Sequence, residues 1–166
     1  MSVDQVLNWI PGAGWLVLSG GRTTLSEIRA NVLSRAKPDG GVAYIGLSVD
    51  DAEDVMDDMA ELGAPTGYLV NVMTEDDKTI TDQITDASII VISGDYDPQT
   101  LLSGLFGAAA KAIQSAYEGG TIVLAEGGAV STFGQVLPFY PGRLGDGLKW
   151  VTDAVIIPGV TSVNQS

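Results

Sequence analysis

The sequence predicts a single α/β domain built as three layers, a doubly wound and mostly parallel sheet with helices on both faces. Three observations carry this. Short apolar runs of strand length recur along the chain, segments with helical periodicity stand between them, and glycine or proline punctuates nearly every junction. With 166 residues, 45% of them hydrophobic, the chain is of ordinary domain size and can bury a full core. One domain, residues 1–166, is expected.

In chain order, Val3, Val6, Leu7 and Ile10 have the spacing of a short amphipathic helix that Pro11-Gly12 ends. Pro11-Gly12-Ala13-Gly14 contains a GxG, but it precedes a strand, so it reads as a turn and not as a dinucleotide fingerprint. Trp15 to Ser19 is the first strand, and Gly20-Gly21 leads into a helix from Thr24 to Ala36 with Leu25, Ile28, Val32 and Leu33 on one face. Val42 to Leu47 is the second strand. The helix from Asp50 to Leu62 places Ala52, Val55, Met56, Met59 and Leu62 toward the sheet, and its many carboxylates read as a solvated face.

Gly67 to Met73 is the third strand, Glu75 to Ala87 a weaker helix and Ser88 to Ile92 the fourth strand. Asp97-Pro98 is a good helix start, because the carboxylate can accept an amide bond and proline has no amide hydrogen to leave unpaired. One helix is expected from there to Gly119-Gly120, and its low charge suggests burial on more than one side, with a homodimer interface as one use of that surface. Thr121 to Ala125 is the fifth strand, Gly127 to Phe133 opens a short helix, Pro138 to Gly147 is rich in turn residues, and Ala154 to Ile157 is a last short strand.

Composition narrows the chemistry. The chain has neither cysteine nor histidine, so thiolate chemistry, disulfides and the commonest general base are unavailable. A net charge of -13 opposes nucleic acid and anionic membrane surfaces as partners. No apolar stretch approaches the roughly 18 residues of a membrane span, and Met1 to Asp4 lacks a basic, apolar leader, so a cytoplasmic protein is expected. No cofactor is expected. In a parallel sheet the ligand crevice lies at the carboxyl ends of the strands, which puts Ser93-Gly94-Asp95 beside Glu126-Gly127-Gly128 as the candidate site for a small molecule or peptide. Asp95, Asp97 and Glu126 could also form a carboxylate site for a hard cation, or divide acid and base roles.

Several strings resemble the serine peptidase family of cyanophycinase and dipeptidase E, whose fold is like the class I glutamine amidotransferases. Gly14 to Gly21 is similar to the family's opening strand and glycine turn, and Ile89 to Leu102, IIVISGDYDPQTLL, to its IFFTGGDQxxLL pattern, with Ser93 replacing the first glycine. Gly119 to Ala129 resembles the segment in which the family carries Gly-Thr-Ser-Ala-Gly-Ala. There Glu126 stands where the resemblance implies the nucleophilic serine, and Gly159, in Ile157-Pro158-Gly159-Val160, stands near the implied histidine of a DxHF-like string. The resemblance therefore implies the fold but a catalytically degenerate protein, in which Glu126 is either a plug that accepts the elbow amides or a working residue. A misplaced elbow would leave Ser93, Ser131 or Thr132 as nucleophile, with Lys111 or Lys149 as the base.

Overall fold

The computed structural model describes residues 7–21, 25–93, 97–139 and 143–159. The five apolar runs form one parallel sheet: β2 (Trp15–Ser19), β3 (Gly41–Gly46), β4 (Gly67–Asn71), β5 (Ala87–Ile92) and β6 (Ile122–Glu126), in the spatial order β2-β6-β5-β3-β4. β1 (Asn8–Trp9) lies outside this sheet and pairs antiparallel with β9 (Val151–Thr152). All five central strands are parallel to their neighbours. β5 and β6 are buried along their whole length, as central strands covered on both faces must be.

Two apolar layers follow from strand alternation. Val42, Tyr44, Ile89, Val91, Ile122 and Leu124 pack with α1 (Leu25–Arg35) and α2 (Asp50–Glu61), through Val32, Ala52, Val55 and Met59. Their strand neighbours Ala43, Ile45, Ile90, Ile92, Val123 and Ala125 pack with α3 (Asp77–Thr85), α4 (Pro98–Leu105) and α5 (Ala108–Glu118). The chain runs outward from β2 to β4 and then returns to β5 and β6. With crossovers of constant hand, that reversal moves the later helices to the opposite face.

The expected long helix after Asp97 is two helices. Phe106 has extended ψ of 138°, and Gly107, at φ 97° and ψ -126°, occupies backbone space closed to other L-residues, so the helical bonding cannot continue through them. Three terminal expectations also change. Asn8 and Trp9 are strand and not helix, while residues 3–6 lie outside the described residues. Ala154 to Ile157 forms no strand; the Ala154 carbonyl instead accepts from the Gln135 amide at 3.0 Å. The turn-rich segment contains a hairpin of β7 (Val136–Phe139) and β8 (Arg143–Asp146). No helix among the described residues is long and apolar enough to cross a membrane.

The Gly12-Ala13-Gly14 turn has a packing reason. A Cβ at Gly12 would stand 2.3 Å from the Tyr117 ring, and one at Gly14 2.2 Å from the Thr121 carbonyl. This close approach carries β2 into the sheet. Tyr117 in turn donates to the Ile10 carbonyl at 3.0 Å and packs 4.8 Å from Trp150.

Because the break between α4 and α5 depends on glycine, Gly107→Ala is expected to destabilise the fold by about 1–3 kcal/mol, read as a lower urea midpoint with unchanged slope. A neutral effect would show that the break tolerates an ordinary residue.

Candidate functional site

The site begins with a line of polar residues at the carboxyl ends of three adjacent strands. Ser19 is in register with Glu126, and Ser93 follows Ile92, the partner of Ala125, so Ser93 comes alongside Glu126 on the other side. Alternation turns all three toward α1 and α2, the face of Leu124 and Val91. Ser19, Ser93 and Glu126 are all buried.

A buried carboxylate needs a partner, and α1 supplies it. Arg29 Nε donates to Glu126 Oε1 at 2.8 Å and Nη2 to Oε2 at 2.7 Å, a two-pronged pairing in which both carboxylate oxygens accept. Arg29 Nη1 donates at 2.7 Å to Asp58 of α2, and the Ser26 hydroxyl donates to both oxygens of that carboxylate at 3.0 and 3.1 Å. One guanidinium thus joins the strand end to both helices of its layer. The Glu126 hydrogen bond, followed by that of Asp58, raises the Arg29 pKa well above its usual value against the opposing effect of burial. The Arg29 hydrogen bond is the main reason the Asp58 carboxyl lies below the usual range.

In front of this pair opens a cavity of about 580 Å³. Gly20 and Gly21 after β2, Ser93 after β5, and Gly127 and Gly128 after β6 form its strand-end wall; Pro158 and Gly159 close one side, and Asp50 and Asp54 stand on α2. Gly20 lies close against Pro158, since a Cβ there would sit 3.1 Å from both its Cα and Cβ, tighter than ordinary contact.

The structure therefore brings Ser93, Glu126, Gly127, Gly128 and Gly159 around one space, whereas Gly94 and Asp95 lie outside the described residues. Glu126 does not plug the elbow by accepting its amides: its side chain makes no capping bond to the 3₁₀ turn Gly127–Phe133, because Arg29 holds it on the other side. Asp97 caps α4, accepting from the Thr100 amide and hydroxyl at 3.2 Å each. Among the described residues no group of three or more metal-ligating side chains converges. Of the alternative nucleophiles, Ser93 lines the cavity and Ser131 and Thr132 do not. Thr132 is buried with its hydroxyl donating to the Ala129 carbonyl at 2.6 Å, Ser131 is buried in the same turn, and Lys149 faces Asp146 at 3.4 Å on the surface. Neither Lys111 nor Lys149 lines the cavity.

Sequence reasoning missed Arg29 and treated Asp58 as part of a solvated face. The signal for Arg29 was present, because Leu25, Ile28, Val32 and Leu33 define an apolar stripe with Arg29 in its middle. A charge there must find a buried partner.

Removing one member of a buried pair leaves the other uncompensated. Arg29→Met should therefore cost about 3–5 kcal/mol, whereas Arg29→Met combined with Glu126→Leu should recover most of that loss in urea unfolding; equal single and double losses would contradict the pairing. Asp58 adds a pH dependence. Because its folded pKa is depressed, its contribution is complete above about pH 4 and is lost as pH falls through the folded value. The acid-side fall in Tm should accordingly be shallower in Asp58→Asn than in the parent protein.

No family model matches the sequence, and no curated protein is similar to it in sequence. Solved structures do match. A peptidase from an acI-B1 Actinobacterium superposes with a TM-score of 0.68 at 17% identity, covering 82% of this chain and 64% of that one. A candidate peptidase E protein from Listeria monocytogenes EGD-e superposes with a TM-score of 0.68 at 16% identity, covering 83% of this chain and 75% of that one. The chain thus spans about two thirds to three quarters of the length of these structures, and its five-stranded parallel sheet with flanking helices is a fold it shares with them.

Proposed function

We propose that this chain is a non-hydrolytic protein on a peptidase E-like fold, and that it uses the strand-end crevice to bind a small molecule or peptide. The observation that carries the reading is the two-pronged Arg29–Glu126 pair. At the position where the sequence resemblance implies a serine nucleophile stands a carboxylate with both oxygens engaged. Acyl transfer needs an exposed nucleophile with a base within reach. The sequence supplies neither histidine nor cysteine, and Gly159 occupies the cavity wall near where the resemblance implies the base. Loss of nucleophile and base together lowers turnover by roughly a millionfold.

Two features support retention of a binding role. A cavity of about 580 Å³ is large enough for a small ligand. Ser93 lines it, so a hydroxyl-bearing side chain stands at its wall. Carboxylate catalysis through Glu126 is less well supported, because acid or base work needs an oxygen free to exchange a proton with substrate. Both Glu126 oxygens already accept a hydrogen bond from Arg29.

Incubation of the protein at high concentration with aspartyl and β-aspartyl dipeptides should release no amino acid above the uncatalysed rate. Release proportional to protein concentration, persisting after repurification and lost in Glu126→Gln, would overturn the reading.

A further inference from the structure

The two edges of the central sheet are guarded differently. At β2, Pro158 lies against Gly20 just past the strand, and the Arg35 guanidinium sits 5.1 Å from the centre of the exposed Trp15 ring. At β4, the other edge, the strand Gly67-Tyr68-Leu69-Val70-Asn71 contains no charge and no proline. It keeps an unbroken register with β3 and pairs with no other strand among the described residues. Natural sheets protect their edges with charges, prolines, bulges or a covering element, because an open row of backbone groups invites another strand.

The ladder shows which groups are open. The Thr66 carbonyl accepts from the Val42 amide and the Val72 amide donates to the Gly46 carbonyl, so the even-numbered residues turn their backbone groups toward β3. Gly67, Leu69 and Asn71 therefore turn theirs outward. The Asn71 carbonyl is taken by the Thr74 and Glu75 amides at 3.3 and 3.1 Å. That leaves the Leu69 N–H and C=O, the Gly67 C=O and the Asn71 N–H without a protein partner among the described residues. On the face toward α3, Val70 is fully buried, while Tyr68, on the same face, is 50% exposed.

We propose that β4 is a strand-pairing surface for a second copy of this chain, joined antiparallel about a two-fold axis at Leu69. Self-complementarity selects this occupant. Around that axis Leu69 and Leu69 of the second copy exchange reciprocal hydrogen bonds, and each Asn71 N–H meets the Gly67 carbonyl opposite. The same register sets Tyr68 against Val70 of the second copy in a non-hydrogen-bonded pair, where side chains approach most closely, so the exposed ring gains an apolar neighbour on each side of the axis. Charge favours the same surface. Two copies of net charge -13 repel each other, and a strand without charge is where they approach at least cost. The low charge of α4 and α5 does not require a partner, because Leu101, Leu102 and Leu105 of α4 and Ala109 and Ile113 of α5 fill the chain's own core.

Sedimentation velocity of the full chain across a wide concentration range should show a monomer–dimer equilibrium and no larger species, since pairing uses up both β4 edges. Hydrogen exchange on the unmodified protein reads the register. From dilute to concentrated solution the Leu69 and Asn71 amides should gain protection, while the Tyr68 and Val70 amides, already directed at β3, should change little. Because its pair recurs on each side of the axis, Tyr68→Lys should weaken dimerisation about tenfold, although it makes the chain less negative. Gln114→Lys, the same charge change on the exposed side of α5, should leave dimerisation nearly unchanged. Added salt should strengthen the dimer by screening the repulsion between copies; weakening by salt would mean an interface held by charge and would overturn the proposal. So would a chain that stays monomeric, a dimer whose Leu69 amide exchanges as in the monomer, or loss of the dimer in Gln114→Lys but not in Tyr68→Lys. Protection of Leu69 without a rise in mass would put something other than a second copy on the edge, and mass growing without limit would contradict two-fold closure; either result overturns the assignment.

Discussion

The Arg29 guanidinium is the constraint on which this end of the molecule depends. It sits on the apolar stripe of α1, where a charge is unfavourable unless fully paired, and it meets that demand with Glu126 from the central sheet and Asp58 from α2. The pairing fixes three elements relative to one another: the end of β6, the middle of α1 and the last turns of α2. It is also the observation behind the proposed binding role, because both oxygens of the Glu126 carboxylate already accept from Arg29.

Topology explains why so few residues suffice to build the site. The return of the chain after β4 brings β5 and β6 to the centre of the sheet and sets β6 beside β2, so three loops from distant parts of the sequence open at one rim. Glycines occupy that rim where backbone must approach backbone, as Gly20 does against Pro158. Glycines of the strand ends form much of the crevice wall, and its charged lining comes from Glu126 of β6 and from Arg29, Asp50 and Asp54 of α1 and α2.

Much of this was legible in the sequence. The five strands follow from apolar runs whose boundaries differ from the observed ones by no more than two residues, and the rule that ligands bind at carboxyl ends of strands pointed to Ser93, Glu126, Gly127 and Gly128, which line the cavity. The pair itself was not legible, because Arg29 and Glu126 are 97 residues apart and periodicity says nothing about which distant charge will face which. Gly107 was hidden by its apolar neighbours Phe106 and Ala108, which continue a helical pattern the backbone does not follow. The short β1 and β9 strands are two residues each, too short to leave a periodic signal. Ala154 to Ile157 has strand-like composition, but its backbone is bonded to the Gln135 segment without forming a ladder.

The most direct measurement of the central claim is hydrogen exchange at the Arg29 Nε–H, followed by ¹H–¹⁵N NMR near neutral pH. A guanidinium that donates Nε and Nη2 to a buried carboxylate should give a resolved, downfield Nε–H signal that exchanges far more slowly than those of exposed arginines, and Glu126→Gln should remove that protection while the sheet amides keep theirs. An Arg29 Nε–H exchanging as fast as that of Arg35 would mean that Glu126 is free at the elbow, contradicting the account of the site as a paired and non-hydrolytic one.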